Sequence, residues 1–347
     1  MGDPSTVRFF DRPGQGAAAS RRPRVAVLGT GGTIAGSHPS GPSAWYEAAT
    51  RGVEELLADV PGIEQLAEVT HEQVFQIDSA DMDDQRILSL ARRTSEVLAS
   101  DQVDAVVITH GTDTLEESSY FLHLTVKTDK PVVFVAAMRP GDDLGTDGPR
   151  NLRNAVVVAA SPRARGLGVL VVMNDEIHTA RDVAKAHTLN VSALRSPYGA
   201  LGYVVADAPR FYRQPVRPHT TRTPFDVERL ERLPVVGIVY AYAGTGTAPI
   251  DTLAAGTDGL VYAGFGNGSL PGPVRRALAT ARAAGVQIAR ASRGGVGPLV
   301  RNAGGFDDEH GFLVVDDQSP QKARILLGLG LSITRETAAL QHMLWTY

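Results

Sequence analysis

The sequence contains no cysteine. That removes disulfides, thiolate nucleophiles and cysteine-ligated metals together, so covalent chemistry must begin from an oxygen or an amine. The nine histidines form no HxxxH or HExxH pair, the spacing that sets two imidazoles on one helical face, so no metal site is expected. No segment approaches the roughly 18 uninterrupted apolar residues of a membrane span. With 34 Lys and Arg against 38 Asp and Glu, the net charge is −4, and the absence of a broad basic field argues against nucleic acid as the main partner. Residues 1–23, rich in Pro, Gly, Arg and Ala, lack an apolar core and read as a disordered lead-in rather than a secretory signal. The expected location is the cytoplasm. Internal repeats and long low-complexity tracts are also missing.

What is present is an ordinary apolar content of 43% in 347 residues, more chain than one domain usually holds, so two domains are expected. Strand-like runs fall at 24–29, 73–77, 104–109, 131–136 and 168–173, with helical patterns between them at about 52–59, 83–99, 114–127 and 149–161. Strand alternating with helix predicts an α/β fold with a mostly parallel sheet covered by helices on both faces. Over 211–233 the pattern lapses into prolines and alternating charge, which reads as a linker. A smaller α/β set follows, with strands at 235–240, 259–264, 286–291 and 312–315 and helices at about 248–255, 273–284, 319–330 and 335–346. The domains are therefore expected at 24–210 and 234–347.

The chemistry concentrates where strands end. The run Arg24–Leu28 breaks into Gly29-Thr-Gly-Gly-Thr33, a tight glycine loop that delivers a hydroxyl and exposed amides. Three further strand ends carry Asp78-Ser79-Ala80, Thr109-His-Gly-Thr112-Asp113 and Ala136-Ala-Met-Arg139, and Lys185 lies just beyond the 168–173 strand. In an open parallel sheet such ends share one crevice. A threonine hydroxyl needs a base and an oxyanion site before it attacks an amide. A desolvated Lys185 can serve as that base with Asp113 orienting it, and Thr112 can relay the proton. Each residue also has an ordinary reading, Thr33 and Ser79 as turn hydroxyls, Thr112 and Asp113 as helix caps and Lys185 as a solvated charge.

The stretches Thr30-Gly-Gly-Thr-Ile-Ala-Gly36 and Thr109-His-Gly-Thr-Asp-Thr-Leu-Glu-Glu117 resemble the two signatures of the bacterial L-asparaginase/glutaminase family. The likeness continues through Lys130–Pro140, Asp147–Pro149, Val171–Asp175, Arg181–Lys185, Thr223–Asp226, Val236–Tyr240, Gly264–Gly268 and Pro320–Arg324. The resemblance implies hydrolysis of a side-chain amide, such as that of L-Asn or L-Gln, to carboxylate and ammonia through an acyl-enzyme. It implies no metal or organic cofactor, and a homotetramer of close dimers whose sites borrow residues from a neighbour. By motif, Thr33 takes the nucleophile's place, Tyr46 in Ala44-Trp-Tyr-Glu47 that of the tyrosine closing over the substrate, and Thr112, Asp113 and Lys185 those of the second threonine, the aspartate and the lysine. Ser79 matches the serine holding the α-carboxylate, and Asp113 also faces the α-ammonium.

Two departures accompany the likeness. Ala80 stands where the family usually has Gln or Glu, and Val300–Gly305 lacks the acid that many extracellular members bring across the interface. Ser269, at a neighbour-contributed position, offers partial compensation. Asp307 and Asp308 lie nearby without an assigned role. Losing donors and acceptors should weaken binding or shift preference between Asn and Gln.

Three other readings compete. A dinucleotide oxidoreductase fails at the third glycine of its fingerprint, because position 34 is Ile. The asparaginase-like subunit of archaeal glutamyl-tRNA amidotransferase carries an added amino-terminal domain, for which the irregular residues before the first strand offer little. A silent sensor binding Asn or Asp has no need of a nucleophile and base, although fold and motif alone do not establish turnover.

Overall fold

The computed structural model describes residues 21–39, 45–295 and 297–347. The expectations for residues 1–20 and for Ala44 lie outside the described residues. In β1 (Arg24–Gly31), Val25, Ala26, Val27 and Leu28 are all buried, the continuous apolar run that a strand covered on both faces requires. It lies between β2 (Glu68–Ile77) and β3 (Ala105–Thr109), parallel to both. Beyond β3 come β4 (Val132–Val135) and β5 (Val169–Met173), also parallel.

Side-chain alternation sorts these strands onto two cores. Val25, Val27, Val107 and Val133 pack with α1 (Val53–Ala58), α2 (Ile63–Leu66) and α5 (Gly148–Ala159). Ala26, Leu28, Val106 and Phe134 face α3 (Asp84–Ala99) and α4 (Leu115–Thr125) on the other side. Asp83 caps α3, its carboxylate accepting the Arg86 N–H at 2.8 Å.

The sheet then continues past β5 through three antiparallel strands, β6 (Glu176–Thr179), β9 (Gly202–Val205) and β10 (Ala208–Phe211), to make eight strands in the order β10-β9-β6-β5-β4-β3-β1-β2. Each is only four residues long, too short to stand out as a periodic run. Between β6 and β9 a two-stranded hairpin, β7 (Ala184–Lys185) with β8 (Leu194–Arg195), presents Lys185.

The second sheet is parallel, β11 (Val236–Tyr240), β12 (Gly259–Gly264), β13 (Gln287–Ser292) and β14 (Leu313–Val314). One face packs on α6 (Ala248–Ala254) and α7 (Gly272–Ala283), with α8 (Asp307–His310) near its edge. The other face carries α9 (Pro320–Leu331) and α10 (Thr337–Thr346), and the α9 leucines join the cluster that lies under α3 and α4. Residues 211–233, expected as a linker, run against α4. Phe225 and Val227 are buried in that shared cluster, and Lys127 Nζ donates to the carbonyls of Thr220 and Thr223 at 2.9 and 2.7 Å.

Candidate active site

The carboxyl ends of β1, β2 and β3 are adjacent because β1 pairs with both of the others. Gly31 and Gly32 end β1 with φ of 97° and 80°, a region where a side chain strains the backbone. The Gly32 N–H donates to the Ile77 carbonyl at 2.9 Å, tying the β1 turn to β2. A Cβ on Gly32 would strike the Gly111 backbone. The turns after β1 and β3 therefore touch main chain to main chain, a contact only glycine permits.

Thr33 follows, mostly buried, and opens a single 3-10 turn. Its Oγ1 lies 2.8 Å from the Tyr46 hydroxyl. Tyr46 is held there because Ser37 and Glu47 exchange backbone hydrogen bonds of 3.0 and 2.9 Å, which turn the segment back across Thr33.

Across the Gly32–Gly111 contact stands a second set. Thr112 is buried, and Lys185 Nζ donates to its Oγ1 at 2.9 Å and to Asp113 Oδ1 at 2.5 Å. The Asp113 side chain is 53% exposed and that of Lys185 23%, so the pair contributes about 0–1 kcal/mol to stability. Ser79, at the end of β2, is buried and accepts the Asp113 N–H through Oγ at 3.3 Å, while its carbonyl accepts the Thr114 hydroxyl at 2.8 Å. Asp78 accepts the Ala80 N–H at 3.0 Å, which shapes this turn and leaves Ala80 exposed. Thr33, Tyr46, Ser79, Thr112, Asp113 and Lys185 thus come together.

Ser269 does not join them within one chain. It is exposed in the Phe265–Ser269 turn beyond β12, and among the described residues no hydrogen bond joins it to Thr33, Thr112 or Lys185.

The acids near Val300–Gly305 are engaged elsewhere. Asp307 is fully buried against Arg290, with bonds of 2.9 and 2.7 Å. Asp308 is gripped by Arg301 at 2.6 Å and by Asn302. His110, beside Gly111, is uncharged near neutral pH, since burial pushes its pKa down to about 4. Among the described residues no three His, Asp or Glu are grouped to hold a metal ion, and no helix is long and apolar enough to cross a membrane.

Two residues behind the site were quoted in the sequence motifs without a role. Glu116 accepts the Lys185 backbone N–H at 3.2 Å, and burial raises its carboxyl pKa. Lys322, from α9, donates through Nζ to the carbonyls of Ala180, Arg181 and Val183 at 2.9, 2.8 and 2.5 Å. The only sequence signal for either was its place inside a motif. The partners lie 69 and about 140 residues away, beyond the reach of local pattern.

The comparisons with known proteins agree with this architecture. Residues 24–217 match the family described as Asparaginase, N-terminal, and residues 235–344 match the Glutaminase/Asparaginase C-terminal domain. The chain belongs to the asparaginase/glutaminase family. It is 47% identical over 326 residues to the glutaminase-asparaginase of Pseudomonas fluorescens biotype A, covering 93% of this chain and 90% of that one. It is 45% identical over 336 residues to L-asparaginase 2 of Escherichia coli K12, covering 96% of each. Among solved structures, the probable cytoplasmic L-asparaginase from Campylobacter jejuni superposes with a TM-score of 0.90 at 42% identity, over 94% of this chain and all of that one.

Proposed function

We propose that this protein is an L-asparaginase that hydrolyses L-Asn to L-Asp and ammonia, with L-Gln as a lesser substrate. The observation that carries the reading is Lys185 Nζ bonded to both Thr112 and Asp113 beside a Thr33 hydroxyl already in contact with Tyr46. Thr33 Oγ1 attacks the amide carbon, and loop amides hold the oxyanion. The hydroxyl proton leaves through the Tyr46 and Thr112–Lys185 groups and reaches the departing nitrogen, which leaves as ammonia. Water then attacks the acyl ester, releasing the carboxylate and restoring the Thr33 hydroxyl.

Ser79 binds the α-carboxylate and Asp113 the α-ammonium. With Ala80 contributing no side-chain acceptor and with Asp307 and Asp308 engaged within their own domain, the ammonium rests chiefly on Asp113. We assign no cofactor. A homotetramer of close dimers is the assembly in which Ser269 can serve a neighbour's site, and size-exclusion chromatography with light scattering tests it. A cytoplasmic location accords with the Campylobacter neighbour's being a probable cytoplasmic L-asparaginase, and cell fractionation tests it.

The deciding experiment is ammonia release from L-Asn and L-Gln by the wild type and Thr33→Ala. Release from Asn that vanishes in the variant, with unchanged circular dichroism, supports the assignment. Binding of Asn without release by the wild type would instead favour the sensor.

A further inference from the structure

Just inside the Ser37–Glu47 bridge stand His38 on one side and Tyr46 on the other. The His38 side chain is only 3% exposed, although the segment bearing it runs along the surface. Two bonds to one carboxylate hold it. The His38 backbone N–H donates to Asp142 Oδ2 at 2.9 Å, and the ring Nδ1 lies 2.9 Å from Asp142 Oδ1. Asp142 belongs to the loop after β4, and the Gly141 N–H in that loop donates to the Gly36 carbonyl at 3.0 Å. The segment that leads from Thr33 to His38 is therefore fastened at Gly36 and at His38 to the loop after β4.

The fastened ring then meets the tyrosine. His38 and Tyr46 stand edge to face, with centroids 6.4 Å apart and planes at 70°, a geometry aromatic pairs favour. The Tyr46 ring also approaches Gly36, where an added Cβ would lie 3.1 Å from Cδ2. With these contacts along the ring, its hydroxyl lies 2.8 Å from Thr33 Oγ1.

We propose that His38, clamped by Asp142, is a positioning residue for the Tyr46 hydroxyl. The proposal rests on the reading of Tyr46 as a participant in the Thr33 reaction. His38 itself touches neither Thr33 nor the substrate. Its effect is to hold the phenol where it meets the nucleophile, and displacement of a reacting group by about 1 Å can cost up to about a hundredfold in rate.

The test measures kcat and KM for L-Asn with His38→Ala and Asp142→Ala, each made in the wild type and in Tyr46→Phe. The expected result is a fall in kcat of roughly ten- to a hundredfold for either single change, with KM within about threefold. Asp142→Asn, which keeps an acceptor for one donor, should lose less. In Tyr46→Phe neither change should reduce kcat further, because nothing remains to be positioned. Equal losses in both backgrounds, or an unchanged kcat in the single variants, would overturn the proposal alone. An unchanged kcat in Tyr46→Phe itself would overturn the role of Tyr46 and this proposal with it.

Discussion

Glu116 accepts the backbone N–H of Lys185 at 3.2 Å from inside the core, so the amine bonded to Thr112 is set by a buried contact as well as by its own hairpin. Lys322 completes the arrangement by holding three carbonyls of the same segment. It comes from α9 of the second sheet's layer, and it couples that layer to the placement of Lys185.

Replacing Lys322 with Met should therefore destabilise the fold and slow the reaction together. Three buried carbonyls lose their donor, which costs roughly 3 kcal/mol or more at about 1–3 kcal/mol each. The pH dependence has a definite sign. Burial lowers the Lys322 pKa from 10.5 to about 8, so between these values the unfolded chain retains a proton that the native chain has released. Stability from this group rises with pH across that window. Denaturant midpoints of the wild type and Lys322→Met should separate further between pH 8 and pH 10. A constant or shrinking gap would contradict the buried charge.

Lys185→Met should act in the opposite proportion. Its ion pair with Asp113 is half-solvated and contributes about 0–1 kcal/mol, so the melting temperature should move by only a degree or two. The rate should fall by about 10²–10⁴, the usual contribution of a positioned acid–base group. Steady-state ammonia release beside a thermal melt checks both, and a mild rate effect would remove Lys185 from the relay.

The parallel core of the fold was legible because its strands are long apolar runs, such as Val25–Leu28 and Val106–Ile108, and because helices separate them. The antiparallel strands β6, β9 and β10 were not, since each is only four residues long. They are added one on another, β6 on β5, β9 on β6 and β10 on β9, by strand pairing rather than by local pattern. In the site, Thr33, Thr112 and Asp113 could be located from glycine turns at strand ends. Glu116, Lys322 and His38 could not be given roles, because each acts through a contact with a distant segment. The 211–233 stretch reads as a linker for its prolines and charge, and its Phe225 and Val227 pack into the shared core, which local composition does not show.

The acids of the second sheet's loops should separate cleanly. Asp307 is fully buried against a guanidinium that is itself 2% exposed, and Asp307→Ala leaves that cation unpaired at a cost of about 3–5 kcal/mol. Asp308 is largely solvated and bound to Arg301. Asp308→Ala should leave both the melt and the KM for Asn nearly unchanged. A large rise in KM for Asp308→Ala would show that this carboxylate reaches the substrate in the assembled protein.

Ala80 gives the sharpest test of substrate recognition. It is exposed, and its backbone N–H is already satisfied by Asp78, so a longer side chain should be accommodated without disturbing the turn. Asp78 and Ser79 keep their bonds whichever residue follows. In Ala80→Gln the new amide oxygen can accept from the substrate's ammonium, and a hydrogen bond to a charged group contributes roughly 1.5–3 kcal/mol. The KM for L-Asn should fall by about tenfold or more if the group is well placed, with kcat little changed, because the ammonium is equally charged in ground and transition states. Side-by-side kinetics on L-Asn and L-Gln check this. If the KM for both substrates stays where it was, the ammonium does not lie beside residue 80, and the assignment of Ser79 and Asp113 to the amino-acid end must be redrawn.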